Sequence, residues 1–231
     1  MRRRGREGWA WWVAWAVVLV VGLVAGLGGP VLLRERASAR YPVTAGDLAA
    51  GRAALAALVV VEPSASATYE REQFGAAWAD VDRNGCDTRN DVLRRDLAPA
   101  TLDVDGCTVL TGVLADPYTG ERIAFARGED SALVQIDHVV ALADAWARGA
   151  AGWDLREREQ FANDPANLLA VDGQANQDKG ASAASDWLPP DPGFACVYAL
   201  RQVRVKAAYA LTVTADERAA LDSALGTCAT T

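Results

Sequence analysis

Five positions in the second half of the chain carry residue types that hydrolytic chemistry uses: Asp137 beside His138, then Asn167, then Asn176 and Lys179. His138 is the only histidine in the sequence. With an unperturbed pKa of about 6.5, a neutral imidazole is the natural general base at neutral pH, provided a neighbour fixes its tautomer and ring angle. Carboxylate and amide oxygens are what a hard divalent cation accepts, one or two from the protein and the rest from water and substrate phosphate. An Asp with an Asn therefore suffices for such a site. His138 beside Asp137 would also suit a serine hydrolase, but the sequence has no Gly-x-Ser-x-Gly elbow.

The elements that must position these residues follow from local patterning. Val134 to Val140 is a β-branched strand carrying the histidine, Leu142 to Gly149 and Leu155 to Phe161 are helical, Leu168 to Val171 is a second strand, and Gly173 to Lys179 is a short helix. Asn176 and Lys179 are three apart and share a helix face. The order strand, excursion, strand, helix puts a polar group at the end of each element, so the groups can converge. Neighbours on a regular strand point to opposite faces, so the strand must twist or end at Asp137-His138 for both to reach one site. The alternative is that Asp137 caps a helix beginning at His138.

Upstream, Gly46 to Leu58 has helical spacing and runs into Val59-Val60-Val61. From Tyr69 a segment Tyr69-x-Arg71-x-x-Phe74-Gly75-x-x-Trp78 leads into a polar loop, Asp80 to Asp91. Asp80, Asp82, Asn84, Gly85, Thr88 and Asp91 match the spacing of an EF-hand-like calcium loop, with Asp rather than Glu at the twelfth place; the alternative is a plain polar turn. Cys107 to Ala115 and Glu121 to Ala126 read as a hairpin around Asp116-Pro117-Tyr118-Thr119-Gly120.

The four cysteines, Cys86, Cys107, Cys196 and Cys228, form no Cys-x-x-Cys pair, which argues against zinc ribbons and thioredoxin-like motifs. Phe194 to Tyr209 and Thr214 to Leu225 read as an antiparallel helix pair, which brings Cys196 towards Cys228 and leaves Cys86 with Cys107. The latter bridge closes a loop of about twenty residues, worth around 3 kcal/mol if unstrained. Free buried thiols are the other reading.

At the N-terminus, four arginines precede an uncharged stretch from Gly8 to Leu33. As a helix, Trp9 to Leu27 would span roughly 28 Å, close to a bilayer core, which favours a retained anchor over a cleaved signal peptide. The arginine bias places the following domain outside the cytoplasm, and paired cysteines agree with export. The expected organisation is a signal-anchor or signal peptide over 1–36, a linker over 37–47 and one domain over 48–231. Residues 37–231 hold 17 Lys and Arg against 28 Asp and Glu, a formal charge of −11. Bulk attraction to phosphate is thus absent, and nucleic-acid contact must come from a local basic group plus a bound cation.

In Ile136-Asp137-His138-Val139-Val140, Asn167-Leu168-Leu169 and Asn176-x-x-Lys179-Gly180, flanked by the Asp116 to Gly120 turn, the chain resembles the HNH endonuclease family. The branch it is most similar to is the secreted one with an Asp-His first motif, like the C-terminal nuclease domain of GmrSD-type restriction enzymes. The Asn167 to Asn176 spacing also looks like the HNH nickase domain of CRISPR effectors. It departs from the family where a Pro often follows three residues after His; here Ala141 stands.

The resemblance covers roughly Tyr69 to Cys228. It implies an α+β fold, a ββα-metal (HNH) finger in a mainly helical domain with small antiparallel strands. It implies a metal-dependent endonuclease with His138 as base, Asp137 and Asn176 on Mg²⁺ or Mn²⁺, Asn167 bracing the loop, Lys179 contacting phosphate and Arg89 meeting substrate. Calcium is the second candidate ion, at Asp80, Asp82, Asn84 and Asp91. The implied partner is nucleic acid, DNA before RNA, with the membrane through the N-terminal segment and no protein partner. The expected place is the outer side of a bacterial cell membrane, or secretion if the segment is cleaved. The alternative function is a non-enzymatic anchored calcium-binding or adhesion module, which the acidic surface suits.

Overall fold

A computed structural model describes residues 11–13, 15–19, 37–62 and 68–231. Residues 11–13 and 15–19 are helical; the rest of the expected membrane-directed segment lies outside the described residues. Among the described residues no helix is long and apolar enough to cross a membrane.

The architecture is mixed α and β, with two small antiparallel sheets among short helices. Helix α1 (Ala45–Ala57) is capped by the Thr44 hydroxyl, which accepts from the Asp47 N–H. Helix α2 (Thr88–Asp96) is capped by Asp87. It was not foreseen: sequence patterning merges its first turn with the preceding polar loop, because only Val92 and Leu93 in it are apolar and buried.

Strands β1 (Thr101–Leu102), β2 (Val109–Ala115) and β3 (Arg122–Ala126) form the first sheet, with β2 and β3 the expected hairpin. Gly120 takes φ +77° in its turn, a conformation that costs glycine nothing. The second sheet pairs β4 (Val134–His138) with β5 (Leu168–Asp172), and α3 (Leu142–Ala147) and α4 (Leu155–Ala162) fill the excursion between them. Helix α5 (Gly173–Lys179) follows β5 without a break. Then come α6 (Ala195–Ala208) and α7 (Ala215–Leu225).

The second sheet is covered on both faces. Val134, Ile136, Leu168 and Ala170 pack with Val92, Leu93 and Phe125 of α2 and the hairpin. Leu169 and Val171 face the other way, with Tyr118, Ala175, Phe194 and Tyr198. Helix α6 reaches the α1–α7 core through Ala199, Leu200 and Val203 and the aromatic core through Val205. Its pairing with α1 is close: a Cβ on Gly51 would lie 2.3 Å from Leu200 Cδ2. Disulfides join Cys86 to Cys107 and Cys196 to Cys228, the expected pairs, and no cysteine of the described residues is free. The segment read as a linker contributes contacts as well: Val43 is buried, and the Tyr41 ring meets Phe194 edge-on at 5.1 Å.

Candidate functional site

Strand β4 ends at His138, where the chain must turn through the interior towards α3. A buried backbone leaving a sheet keeps its polar groups only if side chains satisfy them. Asn167, fully buried, does so twice, its Oδ1 accepting from the Val140 N–H at 2.8 Å and its Nδ2 donating to the Val140 carbonyl at 3.2 Å. Its own carbonyl accepts from the Val139 N–H at 2.7 Å. Gln202 Nε2 and the Tyr198 hydroxyl donate to the Val139 carbonyl. Lys179 Nζ donates to the His138 carbonyl at 2.8 Å. The bend after His138 is thereby clamped from α5, α6 and the start of β5.

Gln135 and Asp137 share one face of β4, two residues apart. The Asp137 carboxylate is buried and doubly held: Lys179 Nζ donates to Oδ1 at 2.8 Å and the Tyr118 hydroxyl donates to Oδ2 at 2.5 Å. Burial raises the Asp137 carboxyl above its ordinary range, against the pull of Lys179 and Tyr118. Tyr118 reaches it because its turn is docked: Asp116 Oδ1 accepts from the Asp172 N–H at 3.0 Å, and the Tyr118 carbonyl accepts from the Asp191 N–H at 2.8 Å. Lys179 points inward, away from solvent, because α5 turns Gly173, Ala175 and Lys179 to the sheet.

The His138 ring is 7% exposed and lies nearly parallel to Trp78, with centroids 6.2 Å apart and planes at 15°. Its Nε2 lies 2.7 Å from the Ala162 carbonyl. A carbonyl only accepts, so Nε2 carries the proton and Nδ1 keeps the lone pair. Burial lowers the imidazole to a pKa of about 3, with Arg71 and Lys179 adding to the effect. The ring is neutral at any ordinary pH.

Asp137, His138 and Asn176 line one hollow of about 290 Å³, together with Gln135, Tyr69 and Arg71. Asn176 Nδ2 donates to Gln135 Oε1 at 2.9 Å, which leaves Asn176 Oδ1 as the acceptor. The donor set at this hollow is thus one carboxylate with spare lone pairs and one amide oxygen, the hard oxygens that Mg²⁺ takes when water and phosphate complete its shell. Among the described residues no three His, Cys, Asp or Glu gather as a metal cluster.

Arg89 stands on α2 and lines neither this hollow nor the one beside Trp78; its charged neighbours are Arg127 and Asp87, and burial lowers its guanidinium. In the Asp80 to Asp91 loop, the Asp82 and Asp91 carboxylates accept from Asn84 Nδ2 at 3.1 Å each, and Asp80 accepts from the Asn84 and Gly85 N–H groups. The Asn84 oxygen accepts from the Cys86 N–H at 2.7 Å. The loop is knitted by its own hydrogen bonds.

Three polar residues of the hollow were not foreseen, Tyr69, Arg71 and Gln135, and neither was Tyr118, which holds the Asp137 carboxylate from the buried side. Gln135 was open to inference from its place two residues before Asp137. Tyr118 was not, since only the docking of the hairpin turn on β5 brings it near.

Residues 87–222 match the family described as GmrSD restriction endonucleases, C-terminal domain. A relative from Arthroderma benhamiae, described as an uncharacterized secreted protein, is 35% identical over 208 residues, covering 89% of this chain and 98% of its own. No solved structure matches the chain.

Proposed function

Taking as premise that the chain belongs to the GmrSD restriction endonuclease C-terminal domain family, we propose that it is a metal-dependent endonuclease, hydrolysing nucleic-acid phosphodiester bonds outside the cytoplasm. The observation that carries this reading is the shared hollow: the sole histidine, with Nε2 committed to a carbonyl, borders the same space as Asp137 and Asn176. The arrangement of β4, β5 and α5, strand, antiparallel strand, then helix, supports its reading as an HNH ββα-metal finger whose two strands are separated by an excursion holding α3 and α4.

In this reading His138 Nδ1 takes the proton of the attacking water. Burial disfavours the imidazolium that forms, and an anionic phosphate beside the ring offsets that penalty. Asp137 and Asn176 would hold Mg²⁺ or Mn²⁺. Such a cation, when bound, stabilises charge on the phosphate and the leaving oxygen. Asn167 and Lys179 act as positioning residues: the first fixes the bend beyond His138, the second orients the Asp137 carboxylate and the His138 carbonyl. The paired cysteines and the secreted relative support action outside the cell.

The test is nicking of supercoiled plasmid by the oxidised full chain with Mg²⁺ or Mn²⁺. Wild type is expected to cleave, chelator to stop it, and His138→Ala to lose at least about a hundredfold in rate. His138→Gln, which keeps an N–H for the Ala162 carbonyl, should be equally inactive while folding normally. Equal cleavage by wild type and both variants would remove His138 from the mechanism.

A further inference from the structure

The hollow beside Asp137 has a neighbour on the other side of His138. Arg71, His138 and Leu142 line both, and the second, of about 190 Å³, is walled mainly by apolar groups, among them Phe74, Trp78 and Ala162. His138 therefore stands on a ridge between a polar recess and an apolar one. Arg71, which lines both recesses, has an exposed side chain with no hydrogen bond or ion pair among the described residues. By contrast, Arg95, Arg127 and Arg158 each donate to a protein carbonyl.

Arg71 is held on a fixed support. It opens a 3-10 turn, Arg71–Phe74, whose Glu70 and Gln73 form a reciprocal capping box. Helix α4 pins that turn from beneath, with Arg158 Nε donating to the Gln73 carbonyl at 2.7 Å and Glu159 accepting from the Ala76 N–H at 3.3 Å. Phe74 anchors it in the aromatic core. A guanidinium presented in this way offers a planar fork suited to two phosphate oxygens.

We propose that the substrate is unpaired nucleic acid, its scissile phosphate held by Arg71 at the polar recess and the adjoining base received by the apolar recess walled by Trp78 and Phe74. The inference rests on the phosphodiesterase reading above and adds the substrate class to it. Three observations carry it. His138 is recessed, so the strand must descend to it, which a single strand does more readily than a duplex. A base can enter the second recess only if it is not stacked and paired, and aromatic walls are the usual platform for such a base. The domain's charge of −11 denies it the broad phosphate attraction by which duplex binders hold on, so a single placed cation has to serve.

The experiment measures cleavage of a labelled single-stranded DNA oligonucleotide, its RNA counterpart and the same sequences in duplex, by the full chain with Mg²⁺ or Mn²⁺ over a range of salt. A single strand should be cut at least about tenfold faster than its duplex. Arg71→Gln should raise KM about tenfold, with the salt slope of single-strand binding reduced by roughly 0.7, the share of one phosphate contact. Arg71→Lys should recover part of the loss, and the thermal midpoints of both variants should match wild type. Trp78→Leu should narrow the preference for single strands. Equal rates on single strand and duplex overturn the substrate class, and an unchanged KM and salt slope in Arg71→Gln overturn the phosphate contact; both leave the phosphodiesterase reading standing. No cleavage of any of the four substrates defeats that reading, and the inference with it.

Discussion

Two lysines in this protein are completely buried, and each meets an aspartate. Lys179 lies 2.8 Å from Asp137 beside the hollow that holds His138. Lys206, on α6, lies 2.6 Å from Asp144 and 2.7 Å from Glu217, with Arg148 at 3.5 Å from Asp144, where α3, α6 and α7 meet. The chemistry is the same and the surroundings differ. Asp137 has a hydroxyl and an ammonium on its two oxygens and a cavity at its side. Glu217 is sealed, neither oxygen has a well-formed hydrogen bond, and burial raises its carboxyl against Lys206. Removing one partner of a sealed pair leaves a charge with no water to reach it, whereas a charge beside a cavity can be rehydrated. The first pair is suited to function and the second to holding three helices in register.

The sharpest way to break this contrast is Lys206→Met. It should cost about 3 to 5 kcal/mol, read by urea unfolding, with cleavage per folded molecule retained. Neutralising the carboxylates as well, in Lys206→Met with Asp144→Asn and Glu217→Gln, should restore a large part of that stability. A Lys206→Met protein as stable as wild type would show that the cluster is not sealed.

Lys179→Met is expected to cost less stability, about 1 to 3 kcal/mol, because water enters the hollow. Its cleavage should nevertheless fall by about a hundredfold, as the Asp137 carboxylate and the bend after His138 lose their shared anchor. Cleavage at the wild-type rate would reduce Lys179 to a structural role.

A smaller effect separates His138 from both buried carboxylates by pH. Folded, His138 takes up a proton only near pH 3, whereas unfolded it does so near its ordinary 6.5. Between these values the unfolded chain holds a proton that the native chain lacks, so stability falls as pH drops, by roughly 1.4 kcal/mol per unit. The raised carboxyls of Asp137 and Glu217 act in the opposite sense above the ordinary carboxylate range, since there the native chain holds the extra proton. In chelator, the stability difference between wild type and His138→Gln should therefore shrink by about 2 kcal/mol between pH 7 and pH 5. A difference that does not change with pH would contradict the neutral, buried imidazole.

The smallest effect belongs to a surface pair that sets the baseline. Arg204 meets Asp47 at 2.6 Å with both side chains half exposed. Arg204→Ala should change unfolding by less than about 1 kcal/mol and vanish into the noise at high salt.

The sequence made the chain path of the site legible. Asp137-His138, Asn167, Asn176 and Lys179 stand in the order that the strands and helix require, and the hairpin and both disulfides follow from turn residues and helix pairing. What it hid has physical causes. Lys179 reads as a cation that contacts substrate phosphate, and only the packing of α5 on the sheet turns it inward onto Asp137. Asp144 stands far from Lys206 and Glu217 in the chain, and all three look like ordinary polar positions of three amphipathic helices. Asp87 caps α2, but it sits in a run of polar residues whose spacing mimics an ion-binding loop, which masks the start of a helix with little apolar surface. Arg71 lies in a segment whose spacing does not mark it, and only the docking of its turn on α4 brings it to the hollow.

The excursion from Val139 to Asn167 bears on how the molecule is made. His138 and Leu168 are partners in the register, yet two helices lie between them in the chain. No local hairpin can bring these strands together, and closing so large a loop costs entropy before any strand contact repays it. The helices and the β2–β3 hairpin, built from local contacts, can form early; the β4–β5 pair, and with it the geometry at His138, is expected to come late. A refolding chain should recover its helical signal well before it regains the power to cut.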